Sequence, residues 1–91
     1  MLNLARIGER MSKLNNWSLE NNCIVKDFQF SNFKEGMDFV NKVAEIAEKQ
    51  QHHPSIIIDF NSVHIMITTH EEKGLTDKDF DLALEIDTLS Q

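Results

Sequence analysis

The sequence predicts an α+β fold in which helices pack on one face of a four-stranded antiparallel sheet. Segments 17–30 and 55–69 both show alternating apolar residues around a turn signal, the pattern of a β-hairpin. A long segment with helical periodicity separates them, and shorter helical patterns lie near both ends of the chain. Because hairpins and helices are segregated along the chain, the pattern favours an α+β sandwich.

The first predicted elements are a short helix and a hairpin. Residues 1–14 have apolar side chains at helical spacing, and Asn15-Asn16 indicate the helix end. Trp17–Leu19 and Ile24–Phe30 are strand candidates. Asn21-Asn22 join these strands, and asparagine tolerates the positive φ of a tight turn.

A long helix is predicted between the hairpins, from Asn32 to about Gln51. Asn32 is a suitable N-cap, and Glu35 follows at capping-box spacing. Pro54 ends the helix because the residue before a proline avoids the α region. The predicted inward face consists of Phe33, Met37, Val40, Val43, Ala44, Ile46 and Ala47.

The second hairpin is predicted to turn at Asn61-Ser62. In that register Ile58 lies opposite Ile65, and the apolar residues of both strands share one buried face. These residues are Ile56, Ile58, Phe60, Val63, Ile65 and Ile67. The other face then places His53 opposite His70 and Asp59 opposite His64.

A last helix is predicted after Gly74, from Thr76 to about Ser90. Thr76 is the N-cap candidate, and Asp79 lies at the position that completes a capping box. The predicted inward residues are Phe80, Ala83, Leu84, Ile86 and Leu89.

Composition and charge limit the class of protein. The 91 residues predict a single domain, residues 1–91, since two cores of half this size would be too small to fold. The net charge of −6 argues against nucleic-acid binding, and no apolar run is long enough to span a membrane. Cys23 is the single cysteine, which excludes an intrachain disulfide. Together with the lack of a signal-peptide pattern, this predicts a cytoplasmic protein.

Three histidines, His52, His53 and His70, are predicted to come together at the open end of the second hairpin. A zinc site is disfavoured because adjacent histidines in an extended segment point to opposite sides, and the chain has no HExxH motif. Structural roles are the simplest alternative, and they suit His64, with Asp59 as its partner, best. Imidazoles also titrate near neutral pH, so converging histidines could donate a proton to a leaving hydroxyl and accept another.

The segment from Glu48 to Asp79 resembles the signature of the pterin-4a-carbinolamine dehydratase family. The matching residues, in order and at the family's spacing, are Glu48, His52-His53-Pro54, Phe60, His70 and Asp79. The resemblance covers roughly residues 15 to 90 and includes Trp17, Phe28-Gln29-Phe30 and Gly74-Leu75-Thr76. Gln51 and Ile56 depart from the pattern, since these positions are often acidic and aromatic, respectively.

The resemblance implies a hydro-lyase that removes water from 4a-hydroxytetrahydrobiopterin to give the quinonoid dihydropterin, a step in pterin recycling for aromatic amino-acid hydroxylases. It implies acid-base catalysis by His52, His53 and His70 with no metal or other cofactor. His52 and His70 would protonate the 4a-hydroxyl, and His53 would position the pterin and transfer a proton. The implied pterin-binding residues are Gln51, His52, His53, Thr68, Thr69, His70, Glu71 and Asp79.

The resemblance also implies a homodimer or homotetramer. Segments Trp17–Leu19 and Val63–Thr69 are the expected sites of an exposed sheet edge that a second copy covers. Two other functions stay open on the sequence. One is a non-catalytic, coactivator-type dimerisation module that binds a protein partner through the outer face of the long helix, and the other is a dehydratase-like role in a molybdopterin pathway.

Overall fold

The computed structural model describes residues 1–89, which form three α-helices and a four-stranded antiparallel sheet. In chain order the elements are α1 (Leu4–Met11), β1 (Ser18–Glu20), β2 (Cys23–Gln29), α2 (Phe33–Gln50), β3 (Ser55–Asp59), β4 (Ser62–Ile67), a 3₁₀ turn (His70–Glu72) and α3 (Asp77–Asp87). The strand order is β1-β2-β4-β3, so the two hairpins meet along β2 and β4. The predicted α+β fold is confirmed. The predicted end of the last helix near Ser90 lies outside the described residues.

The long helix α2 forms where the sequence predicts it. The side chain of Asn32 accepts a hydrogen bond from the backbone N–H of Glu35 at 2.9 Å, which caps the first turn. The buried face, however, is rotated from the prediction: Phe33 and Ala44 are exposed, and the buried residues are Gly36, Phe39, Val43 and Ala47. Gly36 lies on this buried face beside Val63 of β4.

The core lies between the inner face of the sheet and the two helices α2 and α3. Phe28 of β2 stacks against Phe39 of α2 with ring centroids 4.7 Å apart, and Phe39 also contacts Phe30. Fully buried residues of the sheet and α3 complete it: Ile24, Val63, Ile65, Ile67, Phe80, Leu82, Ala83 and Ile86. Leu84, predicted to face inward, is exposed because the covered sector of α3 instead follows Asp79, Leu82, Ala83 and Ile86.

The register predicted for the second hairpin is wrong by two residues. The turn is Phe60-Asn61, so Ile58 lies opposite Val63 and not opposite Ile65. A shift of two residues leaves every side chain on the same face of the sheet, and the apolar alternation therefore could not detect it. The predicted exposure of β4 as an edge is also wrong, since β4 is paired on both sides and the edges are β1 and β3.

Three predictions about side chains of this hairpin are wrong for the same reason: the burial of Phe60, the partner of His64 and the position of His53 opposite His70. Phe60 is not buried but 67% exposed, at a backbone φ of 51°. His64 lies opposite Ile57 and pairs with Asp27 of β2, Nδ1 to Oδ1 at 2.6 Å, instead of with Asp59. His53 does not oppose His70, because His70 lies in the 3₁₀ turn beyond the end of β4.

No helix within residues 1–89 combines the length and the apolar character that a membrane span requires.

A largely buried ion pair ties the C-terminal end of α3 to the first hairpin. Asp87 Oδ1 accepts hydrogen bonds from Trp17 Nε1 at 2.9 Å and from Lys26 Nζ at 3.1 Å. Its Oδ2 accepts the backbone N–H of Asn15 at 3.1 Å. The side chains of Lys26 and Asp87 are only 10% and 8% exposed, and the Lys26 ammonium lies 4.8 Å from the centre of the Phe28 ring. One carboxylate therefore holds three separate segments together.

Replacing Asp87 with alanine is expected to destabilise the protein by about 3–5 kcal/mol, because Lys26 and the indole N–H would be left buried without a partner. The measurement is the free energy of unfolding in urea. Asp38→Ala is the matched control, since Asp38 pairs with Lys34 on the surface, with side chains 57% and 83% exposed. Its expected cost is about 0.5 kcal/mol or less. An equal loss of unfolding free energy in the two variants would contradict the larger stabilising contribution expected of Asp87.

The backbone conformation at Phe60 predicts that glycine at this position is more stable than alanine. A left-handed φ of 51° costs an L-residue about 1–2 kcal/mol, and the exposed ring has little packing to lose. Phe60→Gly should therefore be more stable than Phe60→Ala by about 1 kcal/mol in the same urea experiment. If the alanine variant is as stable as the glycine variant, residue 60 does not adopt the left-handed conformation in solution.

Candidate active site

The C-terminal end of α2 determines where the histidine pair lies. Gln51 adopts a left-handed conformation with φ 53°, and its N–H donates to the carbonyl of Glu48. The N–H of His52 donates to the carbonyl of Ala47 at 3.1 Å. These two bonds form a Schellman motif, which satisfies the last carbonyls of the helix and reverses the chain direction. His52 is therefore turned back toward the start of α3.

His52 makes a short hydrogen bond to a buried carboxylate. Its Nε2 lies 2.6 Å from Asp79 Oδ1, and the His52 side chain is 11% exposed while Asp79 is fully buried. Because an ionised carboxylate only accepts hydrogen bonds, Nε2 is the nitrogen that carries the proton toward Asp79. The other ring nitrogen, Nδ1, is then the one available for proton exchange.

Asp79 receives hydrogen bonds on both oxygens. Oδ2 accepts the hydroxyl of Thr69 at 2.9 Å and the backbone N–H of Thr76 at 2.8 Å. Together with His52, three donors compensate for the burial of this charged group. The bond from Thr76 belongs to the capping box at the start of α3, so the N-cap role expected for Thr76 and Asp79 is present alongside the contact with His52.

A cleft of about 530 Å³ opens beside this pair, a volume within the range of about 300–1,000 Å³ typical of small-molecule sites. Four of the sequence-predicted site residues line it: Gln51, His52, Thr69 and Glu71. Its remaining lining residues, which the sequence did not indicate, are Met1, Glu72, Thr76, Asp77 and Lys78. The position of Glu72, Asp77 and Lys78 between the His70 and Asp79 anchors was the available signal, because a loop joining two site residues is well placed to line the site.

The other two histidines do not line this cleft; each is the chain neighbour of a residue that does, and we call this position the rim. His53 Nε2 pairs with Glu48 Oε2 at 2.6 Å, and both side chains are more than half exposed. His70 begins the 3₁₀ turn between Thr69 and Glu71, which both line the cleft, and it is exposed. His53 and His70 thus flank the cleft along the chain, whereas His52 alone of the three is anchored by a buried group.

Thr68 is not among the residues that line the cleft, and its side chain bonds to the first hairpin. Its hydroxyl donates to the carbonyl of Asn22 at 2.5 Å, which ties the end of β4 to the β1–β2 turn. The part that the sequence assigns to Thr68 in pterin binding stays a prediction.

Metal ligation was the competing use of these side chains. Within residues 1–89, no three His, Cys, Asp or Glu side chains are grouped as they would be around a metal ion.

Comparison with known sequences identifies the family. The profile of the family described as pterin 4 alpha carbinolamine dehydratase matches residues 1–89. A protein of Sulfurisphaera tokodaii, provisionally named pterin-4-alpha-carbinolamine dehydratase, is 46% identical over 83 residues, which are 91% of this chain and 89% of the relative. A protein of Chloroflexus aurantiacus with the same provisional name is 47% identical over 88 residues, 97% of this chain and 95% of the relative.

Solved structures share the fold. A transcriptional coactivator/pterin dehydratase from Brucella melitensis superposes with a TM-score of 0.91 at 28% identity, covering 96% of this chain and 95% of its own. A pterin dehydratase-like protein described as a RuBisCO assembly factor of the alpha-carboxysome has a TM-score of 0.65 at 18% identity, covering 80% of this chain and 84% of its own, and supports the fold alone. On the full-length sequence match, this chain belongs to the pterin 4 alpha carbinolamine dehydratase family.

Proposed function

We propose that this protein dehydrates 4a-hydroxytetrahydropterins such as 4a-hydroxytetrahydrobiopterin, giving quinonoid dihydropterin and water. The observation that carries the proposal is the pairing of His52 with the buried Asp79 at the wall of an open cleft. Family membership supports the same chemistry. The proposal treats residues 1–91 as one catalytic domain acting in the cytoplasm.

The reaction requires one proton to arrive and one to leave. The C4a–O bond breaks as a protonated imidazole gives its proton to the hydroxyl, which departs as water. Electrons from N5 form the C4a=N5 double bond, and a base takes the proton from N5. No oxidant or reductant takes part, so acid-base groups are sufficient for the reaction.

His52 suits one of these proton transfers because Asp79 fixes its ring and leaves Nδ1 free of that contact. We assign proton donation to the 4a-hydroxyl to His52 and His70, and pterin positioning with proton transfer to His53. The bond from Glu48 orients the His53 ring at the rim. Gln51 and Glu71, which line the cleft, and Thr68 are the remaining proposed pterin contacts, and Asp79 acts in the site through its bond to His52.

Single replacements of His52 and His70 by alanine test these roles. Each should lower the dehydration rate of an enzymatically generated 4a-carbinolamine by about 10²–10⁴-fold, the usual worth of general acid-base catalysis. His64→Ala is the matched control, since His64 pairs with Asp27 on a β-strand and does not line the cleft. It should leave the rate unchanged, and circular dichroism should report the same fold for all three. A wild-type protein that does not accelerate the reaction over buffer would refute the proposed activity.

We also propose that a second copy of the chain covers the free edge of β3. Ile57 is 60% exposed on this edge strand, and Phe60 is exposed at the adjoining turn. An exposed apolar edge strand is a ready template for pairing with another strand. A homodimer, or a tetramer built from dimers, would remove it from water.

Light scattering at micromolar concentration tests the oligomer. The wild type should have the mass of a dimer or tetramer, and Ile57→Lys should shift the population toward a monomer because the ammonium would be buried between copies. Lys34→Glu, a charge change on the exposed part of α2, serves as the control and should keep the wild-type mass. A monomeric wild type would contradict the proposal.

A further inference from the structure

Thr69 is one of two buried polar residues in the described part of the chain, and the other is its partner Asp79. The sequence assigned Thr69 to pterin binding. Its exposure of 2% and the direction of its hydroxyl indicate a different role. The side chain forms part of the wall behind the cleft, and its polar atom contacts the carboxylate that holds His52.

The hydrogen-bond directions around Thr69 follow from the chemistry of the groups. Thr69 Oγ1 lies 2.9 Å from Asp79 Oδ2, and the carboxylate can only accept, so the Thr69 proton points to Asp79. The Oγ1 atoms of Thr69 and Thr76 are 2.8 Å apart. Because the single proton of Thr69 is already used, the Thr76 hydroxyl donates to Thr69. Thr76 therefore donates to Thr69 and Thr69 donates to Asp79 Oδ2, while His52 donates to Asp79 Oδ1 from the other side.

The backbone holds the Thr69 hydroxyl at a fixed point. The backbone carbonyl of Thr69 accepts the N–H of Glu72 at 3.1 Å and the N–H of Gly74 at 3.5 Å. Thr69 also forms an isolated antiparallel bridge with Gly74. This arrangement closes the loop between β4 and α3. Thr69 therefore connects the end of β4 to the Asp79 carboxylate in the first turn of α3.

We propose that Thr69 is a positioning residue for the dehydration, acting through Asp79 to set the ring orientation and tautomer of His52 and not by binding the pterin; this inference rests on the function proposed above. The χ2 angle of an aspartate has a broad distribution, so its own torsional energy hardly fixes the orientation of the carboxylate. Without the Thr69 hydroxyl, Asp79 Oδ2 keeps one of its two donors, the Thr76 N–H, and the rotation of the carboxylate is less restrained. His52 then loses the fixed acceptor that defines its Nε2–H tautomer.

The test compares Thr69→Val, which keeps the shape and removes the hydroxyl, with Thr69→Ser, which keeps the hydroxyl. In Thr69→Val, kcat for carbinolamine dehydration should fall by about 10-fold to 100-fold, a loss comparable to that caused by misplacing a catalytic group by an ångström, while KM stays within about 2-fold. Thr69→Ser should recover most of kcat. Thr88→Val is the control, because the Thr88 hydroxyl bonds the carbonyl of Glu85 at the end of α3 and Thr88 does not line the cleft.

Nitrogen-15 NMR of the histidine rings provides a readout that needs no substrate. At a pH that keeps the ring neutral, His52 should be a single Nε2–H tautomer in the wild type and in Thr69→Ser, and a mixture of tautomers in Thr69→Val. A purely structural role for Thr69 would change the melting temperature without changing this signal. If the wild type proves inactive, the proposed function fails, and the tautomer still decides the role of Thr69.

Two outcomes would overturn the inference. One is an unchanged His52 tautomer together with an unchanged kcat in Thr69→Val. The other is a raised KM at constant kcat, which would return Thr69 to direct pterin binding. Should Thr69→Val fail to fold, the wild type decides: the inference requires a slowly exchanging Thr69 hydroxyl proton in contact with the Asp79 carboxylate, and its absence refutes it.

Discussion

The buried carboxylate of Asp79 is the interaction on which the arrangement of the site depends. It accepts hydrogen bonds from groups that follow α2, that follow β4 and that begin α3, namely His52, Thr69 and Thr76. A fully buried charge is costly unless its oxygens are satisfied, so the three elements must meet in one arrangement. The same requirement makes the wall of the cleft rigid, since no donor can move without leaving a buried acceptor unpaired.

The two neighbouring histidines show how the same residue type acquires different environments. His52 follows a left-handed residue in a Schellman motif and turns inward, where its partner is buried. His53 continues toward β3, and its partner Glu48 is on the exposed surface of α2. A hydrogen bond between exposed groups is weak because water competes for both partners, whereas the inward pair is shielded and the second oxygen of its carboxylate is held in place. We therefore infer that the orientation of the His52 ring is firmly held, whereas the His53 ring can change its orientation more easily.

Much of the fold could be predicted because local chemistry specifies it. Asn32 caps α2, Pro54 follows its end, and the Thr76–Asp79 spacing marks the start of α3. Other features depended on contacts that no local pattern encodes. The predicted hairpin register was wrong because a two-residue shift keeps the same residues on the inward face. The buried face of α2 was decided by its packing against the sheet, where Gly36 lies beside Val63.

The sequence by itself determined the family, the order of the elements and the identity of the candidate residues, because periodicity, capping residues and motif spacing are properties of the chain. Only the tertiary structure decided which histidine meets a buried acid and which lie at the rim. It also showed that the Thr69 hydroxyl donates to Asp79. The physical reason is that Asp79 is 10 residues from Thr69 and 27 residues from His52 along the chain, so only packing brings these partners together. The cost of burying the charge of Asp79 likewise depends on the groups that surround it in the folded chain.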